Sequence, residues 1–481
     1  MKIDGDVGIT FDDVLLKPRR SRVSSRKEVS TSTFFTRNIR LNIPIVSSPM
    51  DTVTEHSMAI TIARLGGIGV IHRFISIDKQ VDEVNKVKRA ENIVINDPYK
   101  IGKYATVKDV RKVFEDKGVS GLLVVDDGER LIGIVTSRDI LFQPDDRPVT
   151  EIMTPREKLI VAHQGIDLEE AKKLLWEYRI EKLPIVDDEW HINGLITAAD
   201  IIKKIQYPEA ARDKKGRLLV AAAVGIKGDY MKRAERLYEA EVDALVIDIA
   251  HGHMDRALET IKELKNSFGD DVDVIGGNIA TYEGAKDIIK YGSDAVRVGI
   301  GPGSTCTTRI VAGVGVPQLT AIIEAYRAAR EYNIPVIADG GIRNPGDIVK
   351  ALAAGASTVM IGRLFAGTDE SPGPVILRNG KRYKMFRGMA SFVARLGKEL
   401  RMSNIDEGDI GEYSYSTEGV EAFIEYRGSV EDVVKRLVAG LRAGMSYLGA
   451  FDIEELRLNA EFIRITDASV KESYPHDILL W

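Results

Sequence analysis

PVIADGGIRNPGDIVKALAAGASTVMIGR, Pro335–Arg363, contains a complete structural unit. It opens on an apolar run, PVIADG (Pro335–Gly340), and passes through a glycine-rich turn. The middle, GDIVKALAAG (Gly346–Gly355), repeats apolar residues at helical spacing before a terminating glycine. It closes on a second apolar run, TVMIG (Thr358–Gly362). Both outer runs are apolar almost without interruption, as expected of strands buried on both faces of a parallel sheet. The stretch reads as strand, loop, helix, strand.

Six further runs share this character: Ile43–Ser48, Ile68–His72, Leu218–Val224, Ala244–Ile249, Val272–Gly277 and Ala295–Gly299. Helical patterns such as MKRAERLYEAE (Met231–Glu241) lie between most of them. Eight strand-then-helix units predict an α/β fold, a (β/α)₈ TIM barrel. A doubly wound open sheet is the alternative. It is disfavoured because polar residues and glycines follow most strands, not only the two at a switch point.

About 145 residues separate the second run from the third, too many for one connection. The gap contains a repeat. GIVTSRD (Gly133–Asp139) recurs as GLITAAD (Gly194–Asp200) at an offset of 61, and VSGLLVVDD and IEKLPIVDD precede the two copies. Such self-similarity implies two copies of a small α+β module inserted in the barrel. The expected organisation is barrel over residues 1–91 and 208–481, with a tandem module over 92–207 whose copies span about 92–145 and 149–207. Ala366 to about Val430 is rich in Gly, Ser and charge, and reads as a lid without regular structure at the catalytic face.

The chain has 481 residues, a formal net charge of −5 and one cysteine, Cys306. An intrachain disulfide is excluded, and nothing in the charge balance favours nucleic acid. No apolar run is long enough to span a membrane. The acidic start, MKIDGDVGITFDD, does not read as a signal peptide, so the cytoplasm is the expected compartment.

Cys306 lies in GIGPGSTCTTR (Gly299–Arg309), after the sixth run and so at the barrel mouth. A lone cysteine is commonly a buried structural residue. Its glycine-rich setting, among the hydroxyls of Thr305, Thr307 and Thr308, favours a nucleophile. The loops after the last two runs, ADGGI (Ala338–Ile342) and IGRL (Ile361–Leu364), occupy the places that commonly bind phosphate in this fold. Arg363 can add a charge-assisted bond, or it can cap a helix or pair with Asp369. Asp339 can hold a ribose diol or cap the next helix. Together these residues suggest a phosphorylated substrate with an electrophilic carbon.

TFDDVLL (Thr10–Leu16), MDTVTE (Met50–Glu55), GPGSTCTTRIVAGVGVPQLTA (Gly301–Ala321), ADGGIR (Ala338–Arg343) and RGM (Arg387–Met389) resemble the family of inosine-monophosphate (IMP) dehydrogenases and guanosine-monophosphate (GMP) reductases. The repeat resembles a pair of cystathionine-β-synthase modules. The resemblance implies that Cys306 attacks C2 of IMP, that hydride passes to NAD, and that water hydrolyses the covalent thioimidate to xanthosine monophosphate, in guanine nucleotide biosynthesis. It implies Thr308, Arg401 and Glu418 as partners of Cys306. Arg401 would be the flap base (flap about 390–425), although Met402 stands where tyrosine is expected. Substrate contacts are implied for Ser48, Met50, Arg297, Ser304, Asp339, Gly341, Gly362, Arg363, Phe386, Gly388, Met389 and Glu418. Cofactor contacts are implied for Asp248, Asn278, Gly299 and Gly301.

The same resemblance implies a monovalent cation, K⁺, on Gly301, Gly303 and Cys306 and on Glu472, Ser473 and Tyr474 of a neighbouring subunit, hence a homotetramer. It also implies a regulatory adenine or guanine nucleotide near Thr136, Asp139, Thr197 and Asp200. Departures from the family pattern are Thr305, Phe386 for a phosphate-binding tyrosine, Ala390, Thr417 and an end at Trp481 without the usual tail. Two alternatives stand. One is a reductase converting GMP with NADPH; against it, GMASF (Gly388–Phe392) lacks that enzyme's glutamate. The other is an inactive nucleotide sensor.

Overall fold

The computed structural model describes residues 7–90, 94–95, 97–391 and 418–475. Arg401, Met402, Thr417 and the chain end at Trp481 lie outside them, as does most of the expected flap. The described residues form two compact units, Met1–Lys88 with Glu209–Trp481, and Arg89–Pro208.

The larger unit is a closed barrel. Its strands are β1 (Ile45–Ser47), β2 (Ile68–Ile71), β3 (Val220–Val224), β4 (Ala244–Ile247), β5 (Asp273–Ile279), β6 (Ala295–Val298), β7 (Val336–Asp339) and β8 (Thr358–Ile361). All neighbours are parallel, and β8 pairs with β1 to close the ring. Closure rules out the open doubly wound sheet. Small and branched side chains fill the interior: Val46, Val70, Ala221, Ala223, Val246, Ile275, Ile337 and Met360 belong to one buried cluster. Each large aliphatic side chain there contributes roughly 1.5–3 kcal/mol through burial. Phe35 and Leu41 join this cluster from a short N-terminal hairpin, while Thr36 bonds Asp273 at the start of β5. The hairpin therefore plugs the barrel's N-terminal end and leaves the opposite end open.

Helices α1 (His56–Arg64), α2 (Ile77–Arg89), α3 (Tyr230–Glu239), α4 (Asp255–Phe268), α5 (Tyr282–Lys290), α6 (Gln318–Ala329), α7 (Pro345–Ala353) and α8 (Val430–Tyr447) follow the strands in turn. In α7, Asn344 caps the first turn by accepting from Asp347 N, Pro345 takes the first position, and Gly355 follows at φ +118°. This overturns a capping role for Asp339.

The segment after β8 is not the unstructured lid expected from composition. Its described residues form an antiparallel sheet of β9 (Ile376–Arg378), β10 (Lys381–Arg387) and β11 (Glu421–Glu425).

In the smaller unit the repeats form equivalent hairpins. Gly121 pairs with Thr136, and Lys182 with Thr197, so both ends obey the 61-residue offset. Thr136 Oγ1 donates to Asp139 at 2.7 Å, and Thr197 Oγ1 to Asp200 at 2.5 Å. Neither aspartate is a helix N-cap, contrary to the alternative weighed for them. Thr197 caps the helix Ala198–Gln206, and Asp139 lies in a run of turns. Among the described residues, no helix is long and apolar enough to cross a membrane.

Candidate active site

Strand ends and loops of the barrel mouth line a cavity of about 620 Å³. Parallel strands aim their C-terminal ends at this mouth, so residues far apart in sequence meet there.

The cysteine loop leaves β6 and lies against the chain entering β11. Val420 N donates to Thr305 O and Thr307 N to Glu418 O, both at 3.0 Å, so Cys306 faces Gly419 in an antiparallel bridge. Alternation along this ladder buries Thr305 and leaves the half-buried Cys306 on the cavity wall. The Cys306 sulfur is 3.1 Å from Thr308 Oγ1, which donates to Glu418 Oε2 at 2.7 Å. A thiol, a hydroxyl and a carboxylate thus form one chain of contacts.

A charged network covers another wall. Arg297, buried, reaches Asp339 Oδ2 at 2.9 Å and Asp248 Oδ1 at 3.1 Å. Burial disfavours its charge, but the two carboxylates outweigh this and raise its pKa above the usual arginine value. Asn278 Nδ2 donates to Asp339 Oδ2 and Gly299 O, each at 2.9 Å, while its buried Oδ1 has no partner among the described residues. Glycine is required at 299: a Cβ there would stand 2.1 Å from Asp339 O.

The third wall holds Ser48, Met50, Ser304, Gly341, Gly362, Arg363, Phe386, Gly388 and Met389. Arg363 is exposed and has no hydrogen bond or ion pair among the described residues. Its suggested pairing with Asp369 does not occur; Asp369 accepts from Tyr426 Oη at 2.6 Å. An unpaired guanidinium beside glycine amides suits an anion. Phe386 is buried against this wall and offers no hydroxyl.

Gly301 and Gly303 also line the cavity, and Gly303 O accepts the Cys306 N–H at 3.0 Å. Neutral carbonyls suit a weakly hydrated monovalent cation better than a divalent one. Among the described residues no His/Cys/Asp/Glu cluster could hold a metal. Glu472, Ser473 and Tyr474 do not line this chain's cavity, and Thr136, Asp139, Thr197 and Asp200 lie in the other unit.

Three bracing features escaped the sequence reading. Arg73 donates to Asp248 O at 2.9 and 3.1 Å and stands 3.4 Å from its carboxylate. Gln318 Nε2 joins Val298 O and Asp339 O at 3.0 and 3.1 Å, tying β6 to β7. Arg387 grips Asp51, fastening β10 to the loop after β1. The last was signalled only by the charged ends of MDTVTE and RGM.

A family model described as the IMP dehydrogenase / GMP reductase domain matches residues 8–476. The chain is 53% identical to inosine-5'-monophosphate dehydrogenase of Aquifex aeolicus, covering 98% of this chain and 96% of the relative. It is 50% identical to that of Nitrosopumilus maritimus, covering 98% and 99%. Among solved structures, GMP reductase from Trypanosoma brucei in complex with guanosine 5'-monophosphate matches with a TM-score of 0.93 and 44% identity, covering 98% of each chain. The same enzyme with guanosine 5'-triphosphate gives 0.81 and 41%, covering 96% and 98%. The chain belongs to the IMP dehydrogenase / GMP reductase family.

Proposed function

We propose that the protein oxidises IMP to xanthosine monophosphate with NAD, in guanine nucleotide biosynthesis. The observation that supports it best is the Cys306–Thr308–Glu418 chain on the wall of a cavity that also exposes an unpaired Arg363. The Cys306 thiolate adds to C2 of the purine, and the hydride on C2 departs. NAD, bound on the Asp248 and Asn278 side, supplies the acceptor for that hydride. The orphaned Asn278 Oδ1 suits a hydroxyl donor there. Water then adds to the thioimidate, C2 releases the thiolate, and the product is free. Splitting the substitution into two steps is the purpose of the covalent bond. Thr308, backed by Glu418, takes the proton from that water. Arg401, outside the described residues, is the further base; an arginine needs desolvation to act so.

Gly301, Gly303 and Cys306 would hold K⁺ through their carbonyls, with Glu472–Tyr474 of a neighbouring subunit, in a cytoplasmic homotetramer. K⁺ would fix the loop's carbonyls. Residues 92–207 are proposed as the tandem regulatory module, taking an adenine or guanine nucleotide near Thr136, Asp139, Thr197 and Asp200.

The test is NADH absorbance on mixing the protein with IMP, NAD and K⁺. Cys306→Ala is expected to abolish turnover while IMP still binds; retained turnover would overturn the sulfur's role. A reductase reading has one observation in its favour, the match to the GMP reductase structure. Oxidation of NADPH by GMP, with no NADH formed from IMP, would establish it instead.

A further inference from the structure

The chain between β6 and α6 departs and returns over a wide span, Ile300 to Val316. One side chain bridges its two ends. Arg309 Nη2 donates to Val316 O at 2.6 Å and to Ile300 O at 3.4 Å. The aliphatic part of Arg309 runs between two glycines. A Cβ at Gly301 would lie 2.5 Å from Arg309 Nε, and one at Gly315 would lie 2.6 Å from its Cγ. The helical turn Thr308–Val311 carries Arg309. The residue that closes the loop is thus three positions from the cysteine. No carboxylate is within ion-pairing distance of Arg309 among the described residues; its hydrogen-bond partners there are backbone carbonyls, and its exposed side chain also borders the cavity.

We propose that Arg309 is a positioning residue that clasps the cysteine loop into a ring and thereby aims Cys306, its side chain lying across Gly301 and Gly315. The inference rests on the reading of Cys306 as nucleophile. Hydrogen bonds from a charged donor to carbonyls are among the stronger ones in proteins. A loop held at both ends also loses less entropy when the sulfur meets its target. Removing the clasp leaves the thiol intact but lets it wander.

The test uses the full-length protein. Arg309→Ala is expected to lower turnover about 10-fold or more, as loss of a charge-assisted bond implies, with the KM for IMP and the melting temperature nearly unchanged. Cys306 should remain at least as reactive toward iodoacetamide, since opening the loop exposes it. Arg309→Lys should recover part of the activity. Wild-type turnover in Arg309→Ala would overturn the inference. So would alkylation slowed in step with turnover, which would assign Arg309 to thiol chemistry. Failure of the Cys306 reading is separate: it appears as turnover in Cys306→Ala, whatever Arg309 does.

Discussion

The Thr308 hydroxyl stands 3.1 Å from the Cys306 sulfur and passes its own proton toward Glu418. One hydroxyl cannot donate to both neighbours at once. With its hydrogen on Glu418 at 2.7 Å, its lone pairs face the sulfur and whatever approaches it. Thr308 is therefore oriented as an acceptor, which suits taking a proton from water.

The consequence is a split between the two half-reactions. Glu418→Gln and Thr308→Val should each slow hydrolysis by roughly 10–100-fold, while the first burst of NADH stays fast. Stopped-flow absorbance and mass spectrometry of the adduct measure both steps. Equal slowing of burst and steady state would contradict the orientation argued for Thr308. Arg401→Ala should likewise spare the burst and let the adduct accumulate.

Arg297 gives a prediction of a different kind. It is buried between Asp248 and Asp339, so Arg297→Met leaves Asp339 without a cation and Asp248 with Arg73 alone, 3.4 Å away. Breaking a buried pair in this way costs about 3–5 kcal/mol. Thermal melting should fall accordingly, and the KM values for both IMP and NAD should rise. A variant with wild-type melting and impaired turnover would show that the network is not structural.

The barrel was legible because its strands are apolar almost throughout, which only burial on both faces explains. The sheet over the mouth was not. In β10, KRYKMFR, the buried inward positions are Lys384 and Phe386, and Lys384 donates to Thr368 O at 2.9 Å and Ser371 O at 2.5 Å. A lysine on the inner face erases the alternation that marks a half-buried strand. The cysteine loop was legible from its own residues. Arg73 was not, because its role comes from Asp248, 175 residues away, and no local pattern announces that contact.

Acid should expose one stabilising group outside the site. Burial pushes the Glu83 carboxyl up, but bonds from His56 and Lys86 more than offset it and bring the pKa down from 4.5 to about 2. A depressed carboxylate stabilises the fold above its unfolded value, and that stability is lost as pH falls from about 4.5 toward 2. With solvent screening the contribution is on the order of 1–2 kcal/mol. Urea melts at pH 7, 4 and 3 should show Glu83→Gln destabilised at pH 7 and converging on the wild type at pH 3. A constant difference across that range would remove Glu83 from the account.

Asp243, whose pKa is raised rather than lowered, gives a second pH test through its partner Lys88. Lys88 is the last residue but one of α2, beside the point where the chain leaves the barrel unit, and its side chain is 4% exposed. Its ammonium is 2.6 Å from Asp243 and 3.0 Å from Asp213, a residue just after the chain returns. Burial raises the Asp243 pKa, and Lys88 only partly offsets it. Lys88→Met removes that offset and raises the pKa further. A group raised in the folded state contributes stability below its unfolded pKa and loses it as pH climbs through the folded value. The variant should therefore be about 3–5 kcal/mol less stable than wild type at pH 7 and recover as pH falls and Asp243 takes a proton. Denaturant melts from pH 7 downward test it. A deficit that does not shrink on acidification would remove Asp243 as its cause.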